Sequence, residues 1–238
     1  MGVGIYENVF IGNFIYILGV KIGINYCKSG LKKEFPACVN LLQQTPVDYK
    51  FADLLTTLGG VSFLIEFKSR KNKKSKEPEK RDKLDKYIGK DVQMRKVSRL
   101  AHWFIQIDGS KEVETKVVPY LDMDKPEELV EADGFDYFIE KIIEIIFNST
   151  NDREALDIGV TAEIMLDYLK YLGDAFKKTS GSNNYSLGGL IINVTPDGGL
   201  KYVVLNDITQ ALDLKLKLTI SQIRENTLEN GRGIGTGR

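Results

Sequence analysis

The sequence contains very little histidine and cysteine, the residues on which many metal sites and redox enzymes depend. Its 238 residues include one histidine, His102, and two cysteines, Cys27 and Cys38, which form no CxxC motif. A single histidine excludes metal sites built from several histidines. Isolated cysteines are typical of reduced thiols in a cytosolic protein. Because His102 leads into the apolar run Trp103–Ile105, we expect it to have a structural role rather than a catalytic one.

The chain also lacks a net charge and a long hydrophobic run. Lysine plus arginine and aspartate plus glutamate each number 33, so the overall charge points to no particular partner. The N-terminal uncharged run, residues 8–20, is shorter than the about 20 residues that a membrane-spanning helix needs. The run has no basic leader and no small-residue cleavage site, so a signal peptide is not expected. We therefore predict a cytoplasmic protein that does not contact a membrane.

Charge is distributed unevenly along the chain. Residues 68–99 include 14 basic and 5 acidic residues, a net charge of +9, and residues 122–157 include 12 acidic and 3 basic residues, a net charge of −9. A basic segment of this kind is suited to the phosphates of a nucleic acid. Alternatively the basic loop is simply solvated, and the acidic segment could serve a protein partner. The candidate phosphate contacts are Arg70, Lys71, Lys73 and Lys74.

Hydrophobic periodicity predicts an α/β (α+β) fold with a central mixed sheet flanked by helices. Composition changes near Asp122, which divides the chain into a core, residues 1–121, and a C-terminal α+β region, residues 122–238. That region could complete the same domain or form a dimer interface, and residues 230–238 are predicted to be a flexible tail. The expected elements are β-leaning runs in 1–26, a helix at 37–44, strands at 48–55 and 61–68, a helix at 80–100, a strand at 102–107, an edge strand at 114–123, helices at 125–147 and 160–176, a hairpin at 187–206 and a helix at 218–228.

One short segment brings charged residues together through strand pairing alone. If Gly59–Gly60 forms a two-residue hairpin turn, the register places Asp53 directly opposite Glu66. Lys68 follows Glu66 by two residues and therefore lies on the same face. The second strand is otherwise apolar, so these groups should be buried at its end. Two opposed carboxylates repel each other unless a cation joins them or one stays protonated.

Two interpretations of this trio remain open. In the first, Asp53 and Glu66 provide oxygen ligands to a hard divalent cation, Mg²⁺ or Mn²⁺, and Lys68 orients or deprotonates a water molecule. In the second, the trio is an exposed charge cluster in which Lys68 bridges the carboxylates and contributes about 0–1 kcal/mol. Asp48 is an alternative to Asp53 as the metal ligand.

The pattern of Asp53 followed by Glu66-Phe67-Lys68 on the next strand resembles the PD-(D/E)xK nuclease superfamily, which has the restriction-endonuclease-like fold. The resemblance covers about residues 25–107 and departs from the family pattern at Ala52, where many members have proline. It implies that Asp53 and Glu66 bind catalytic Mg²⁺ and that Lys68 completes the catalytic set.

Two further positions are implied by the resemblance, one on each side of the hairpin. Glu34 matches an acidic residue of the preceding helix, and Gln93 matches a polar residue that some relatives use on the following helix. The resemblance implies a Mg-dependent endonuclease that hydrolyses phosphodiester bonds, in DNA rather than RNA, and by analogy a role in restriction or phage defence.

The alternatives belong to other classes of protein. One is a non-catalytic nucleic-acid-binding or complex-assembly subunit on the same fold, in which the C-terminal region contacts a protein partner or a second copy. Another is a structural protein with no affinity for DNA.

Overall fold

A computed structural model of the protein describes residues 6–29, 35–42, 52–69, 76–109, 113–125, 134–148, 158–176, 189–194 and 200–205. Its helices are α1 (Glu7–Ser29), α2 (Glu77–Ile88), α3 (Val92–Ala101), α4 (Phe135–Asn148) and α5 (Ala162–Ala175). Its strands are β1 (Phe35–Leu41), β2 (Leu54–Leu58), β3 (Val61–Ser69), β4 (His102–Gly109), β5 (Val113–Pro119), β6 (Val160–Thr161), β7 (Gly189–Val194) and β8 (Leu200–Leu205). A 3₁₀ turn follows β5 at Tyr120–Asp122.

The strands form one mixed sheet. Their order within the described residues is β5-β4-β3-β2-β1-β7-β8, and the short β6 pairs with the start of β3. Strands β3 and β4 are parallel, as a crossover through α2 and α3 requires, whereas the other described pairs are antiparallel. The predicted α+β class, a central mixed sheet flanked by helices, is therefore confirmed.

Successive side chains of β3 point to opposite faces of the sheet, and each face packs against its own layer of helices. Phe63, Ile65 and Phe67 are fully buried in one apolar cluster with residues of α1 and α4. Leu64 points the other way, into a cluster with residues of α2, α3 and α5. Both clusters draw on residues from either side of the predicted boundary at 121, and that boundary stays a prediction.

The N-terminal segment is a helix from Glu7 onwards, so the β-leaning interpretation is wrong for residues 7–26. Aromatic and β-branched residues favour strands locally, but Ile11, Phe14 and Leu18 recur at helical spacing and are buried. The helix also continues through Lys21, whose ammonium pairs with Glu140 of α4. Among the described residues, α1 is the one helix long and apolar enough, by length and composition, to cross a membrane.

The helix predicted after Pro36 is also wrong, because this segment forms β1. Ala37 pairs with Leu58 on one side and with Ile192 on the other, so β1 lies between β2 and β7. A strand flanked on both sides gains two sets of hydrogen bonds, and this tertiary pairing overrides a weak local helical preference.

Other predicted elements are found close to their expected places. The 114–123 strand is β5 and lies at a sheet edge, with Pro119 as its last residue. The single helix expected at 80–100 is two helices, because Gly89 adopts a left-handed φ of 53° after α2. The 187–206 hairpin is present as β7 and β8. The helix predicted at 218–228 and the tail at 230–238 lie outside the described residues.

Gly159 is a position where a side chain does not fit. Its φ is +76°, and an added Cβ would overlap Val61 Cγ1 and the Phe63 ring. We expect Gly159→Ala to reduce the free energy of unfolding by about 2–4 kcal/mol through backbone strain and overpacking. Thermal unfolding measures the loss. Gly173→Ala on α5 is the control, since its Cβ meets nothing within 4 Å. An equal loss in both variants would contradict the packing argument.

Candidate functional site

The β2–β3 hairpin has the register that the sequence predicts. Gly59 and Gly60 form the turn with φ of 55° and 105°, a conformation that favours glycine. Leu58 pairs with Val61, and the ladder continues to the pair of Leu54 and Ile65. Asp53 immediately precedes Leu54, and Glu66 immediately follows Ile65, so the two predicted acids lie at this end of the hairpin.

The structure brings the predicted trio together. Lys68 Nζ lies 2.5 Å from Glu66 Oε1 and 3.7 Å from Asp53 Oδ2. The Phe67 backbone N–H donates to Asp53 Oδ2 at 2.7 Å, which fixes that carboxylate. Asp53 is 2% exposed and Glu66 1%, so the trio is not the exposed surface cluster of the second interpretation. Buried groups of this kind interact more strongly than surface pairs.

A second lysine, which no local sequence signal marks, approaches Glu66 from the helical layer. Lys80 Nζ of α2 lies 3.7 Å from Glu66 Oε2 and 3.6 Å from Glu77 Oε2. The Tyr120 hydroxyl donates to the same Glu77 oxygen at 2.7 Å. Pro78 in the first turn marks the start of α2. Placing Lys80 against β3, however, requires the packing of the helix on the sheet.

An acidic residue of α1 reaches the site. Glu7 Oε1 accepts a hydrogen bond from the Ser69 backbone N–H at 3.0 Å, and Glu7 Oε2 lies 3.9 Å from Lys68 Nζ. Recognising residues 7–29 as a helix would have pointed to Glu7, because an acid in the first turn is typical of a helix start. The predicted helix acid, Glu34, lies outside the described residues.

Burial dominates the protonation of Glu66. Loss of solvent, reinforced by the Asp53 charge and opposed by Lys80 and Lys68, raises the pKa of Glu66 to about 8. Burial alone would lower the pKa of Lys68, but the Glu66 and Asp53 charges outweigh it and hold that pKa above its usual range. The two effects are linked, because Glu66 stabilises the Lys68 ammonium only while Glu66 is ionised.

His102 lies in the apolar layer beside the site, in keeping with the structural role expected for it. Its ring stacks on Tyr120 at 4.2 Å between ring centres. Its Nδ1 is 3.2 Å from the Tyr168 hydroxyl, which in turn lies 2.7 Å from Ser98 Oγ. Burial lowers the pKa of His102 well below its usual range, so the ring is neutral.

The fit of the trio to a divalent cation can be tested on the oxygen atoms present. Glu66 Oε2 is buried and has no hydrogen-bond partner, although Lys80 Nζ lies 3.7 Å from it, so the oxygen still has a free site for a ligand bond. The described residues contain no group of three or more His, Cys, Asp or Glu side chains placed to hold a metal ion. Two carboxylates nevertheless suit Mg²⁺, which keeps several water ligands and often binds one or two carboxylates plus substrate phosphate. The donor set of Asp53 and Glu66 therefore fits Mg²⁺ or Mn²⁺.

Gln93, a further predicted site residue that the structure describes, does not join the trio. Gln93 is exposed in the first turn of α3, and from the helical layer it is Lys80 that meets Glu66. Cys27 is a free, exposed thiol on α1. Several predicted positions lie outside the described residues, so their roles stay predictions: Asp48, Arg70, Lys71, Lys73 and Lys74.

Comparisons with known proteins do not assign the site. A scan against protein-family models, a search of curated proteins and a search of solved structures each found no match. The resemblance to PD-(D/E)xK nucleases therefore rests on the residues of the hairpin and their geometry.

Proposed function

We propose that the protein is a metal-dependent nuclease that hydrolyses phosphodiester bonds, with Asp53, Glu66 and Lys68 as its catalytic residues. One observation carries the proposal. A buried aspartate and a buried glutamate share a lysine at the end of a central hairpin, and one glutamate oxygen has no hydrogen-bond partner. Buried side-chain oxygens in folded proteins seldom lack a hydrogen-bond partner, so this oxygen supports a ligand-binding role.

Each residue of the trio has a distinct task in this proposal. Asp53 and Glu66 would hold Mg²⁺ or Mn²⁺, and Asp53 is already oriented by the Phe67 N–H. A bound divalent cation lowers the pKa of a water ligand and stabilises developing negative charge. Lys68 carries a positive charge beside both carboxylates, where it can position the attacking water or steady an oxyanion. Glu7 and Glu66 both form ion pairs with the Lys68 ammonium.

DNA is the proposed substrate, in preference to RNA. The chain continues from Lys68 directly into the basic segment with Arg70, Lys71, Lys73 and Lys74, which is suited to phosphate contacts near the reacting bond. Restriction or phage defence is the proposed setting, by analogy with nucleases of similar pattern. A cytoplasmic location and a homo-oligomeric or protein contact through residues 122–238 complete the proposal.

A second candidate function is favoured by the position of the Lys68 ammonium. It lies near both carboxylates and supplies positive charge that a metal ion would otherwise supply. A site neutralised from within suits a non-catalytic nucleic-acid-binding or complex-assembly subunit. Such a protein would bind DNA with a strong salt dependence and leave it intact.

A cleavage assay separates these two functions. We expect the purified protein to nick or degrade DNA in Mg²⁺ or Mn²⁺ and to stop when EDTA removes the metal. Supercoiled plasmid, linear duplex and single-stranded DNA should be tested in parallel, with RNA as the comparison substrate. Binding that weakens with salt but yields no cleavage in either metal would support the non-catalytic subunit and contradict the nuclease.

A further inference from the structure

Glu66 has a lysine at each of its two carboxylate oxygens, and the two contacts differ. Lys68 Nζ lies 2.5 Å from Oε1, whereas Lys80 Nζ lies 3.7 Å from Oε2. The second distance is too long for a hydrogen bond, which agrees with Oε2 being a buried oxygen without a hydrogen-bond partner. Lys68 is thus hydrogen-bonded to the Glu66 carboxylate, while Lys80 interacts with that carboxylate through charge alone.

The position of Lys80 is set by α2 and by a second carboxylate. Its side chain is 11% exposed, and its Nζ lies 3.6 Å from Glu77 Oε2 one turn earlier on the helix. The Tyr120 hydroxyl binds that same Glu77 oxygen, and Glu77 is itself buried. The Lys80 ammonium is therefore held between an acid of β3 and an acid of its own helix, and it keeps one partner if the other is taken.

We propose that Lys80 is the internal counter-ion of Glu66, that it competes with a divalent metal ion for this carboxylate, and that it thereby sets the metal affinity of the site. The inference rests on the proposed function, since it takes Asp53 and Glu66 as the metal ligands. Lys80 and Lys68 place positive charge beside Asp53 and Glu66 before any metal binds, so metal binding works against the Lys80 charge.

The sign of the effect follows from charge. The Lys80 ammonium repels any other cation that binds Glu66, and at such separations the interaction is large enough to change an affinity by about tenfold or more. A divalent cation experiences about twice the repulsion that a competing proton experiences, because it carries twice the charge. Removing the Lys80 charge therefore strengthens binding of the metal ion to Glu66, and it does so more than it strengthens binding of a proton.

The test measures Mn²⁺ binding to the full chain by isothermal titration calorimetry, without DNA. We expect Lys80→Met to bind Mn²⁺ about tenfold more tightly than wild type, and Lys80→Arg to bind it with nearly wild-type affinity. Lys86→Met is the matched control, because Lys86 is an exposed lysine of the same helix. Its affinity should equal that of wild type within about twofold.

The outcomes distinguish this inference from the proposed function. If wild type binds Mn²⁺ and Lys80→Met binds it equally or more weakly, the counter-ion role is wrong and the metal site stands. If neither protein binds Mn²⁺, the proposed metal-dependent function fails and the inference fails with it. Thermal unfolding in EDTA checks that Lys80→Met is folded, and Lys80→Gln replaces it if it is not, with the same tightening expected.

Discussion

Glu66→Gln should abolish metal-dependent DNA cleavage, lowering the rate by about 10³-fold or more. The substitution keeps the size of the side chain but removes the charge and one acceptor oxygen from a side chain that forms ion pairs with both Lys68 and Lys80. Lys68→Ala should cause a loss of similar order, because it removes the ammonium between the two carboxylates. Cleavage of supercoiled plasmid under single-turnover conditions in Mg²⁺ measures both effects.

Binding and a distant charge change provide the controls for this prediction. Both variants should bind DNA in EDTA with nearly wild-type affinity, since the phosphate contacts are assigned to the basic segment and not to the trio. Glu79→Gln alters the same charge at an exposed position of α2 and should cut at the wild-type rate. Wild-type cleavage by Glu66→Gln and Lys68→Ala would show that the site has been assigned to the wrong residues.

The same Glu66→Gln substitution should make the protein more stable at high pH. Burial raises the pKa of Glu66 from 4.5 to about 8, so the folded protein retains a proton that the unfolded chain loses between these values. Wild-type stability therefore falls as the pH rises from 4.5 towards 8 and levels off above it. Glutamine does not titrate. We therefore expect the free energy of unfolding of Glu66→Gln to exceed that of wild type by about 2–5 kcal/mol at pH 9.

Urea unfolding at several pH values measures this gain. The difference between Glu66→Gln and wild type should be near zero at pH 4, where Glu66 is protonated in both states, and should grow through the neutral range. A difference that is constant with pH would show that burial does not shift the ionisation of Glu66. Mn²⁺ should oppose the trend by stabilising ionised wild type at pH 9 while leaving Glu66→Gln unaffected.

Local sequence signals were sufficient for the hairpin and its trio. Two adjacent glycines mark a two-residue turn, and the turn fixes every later pair along β2 and β3 by counting. Because side chains alternate along a strand, Glu66 and Lys68 lie on the same face of β3. Nothing beyond residues 53–68 is needed to place these groups beside one another.

The rest of the site depends on contacts between distant parts of the chain. Glu7 and Lys80 reach the trio from two helices on opposite faces of the sheet, and neither helix carries a local signal for its partner. The segment of β1 shows the same limit, because its strand conformation depends on β7, far along the chain. Its aliphatic residues suit a helix equally well until that neighbour is known.

The course of the chain through the sheet also determines which pieces of the protein can exist by themselves. The site lies within the first half of the chain. Helix α4, which covers one face of the sheet together with α1, and strand β7, which pairs with the outer edge of β1, both come from the second half. A fragment ending at residue 121 would lose the α4 part of this cover and leave the β1 edge open to pair with other chains. Proteolysis between the halves should thus yield aggregates in place of a small folded fragment.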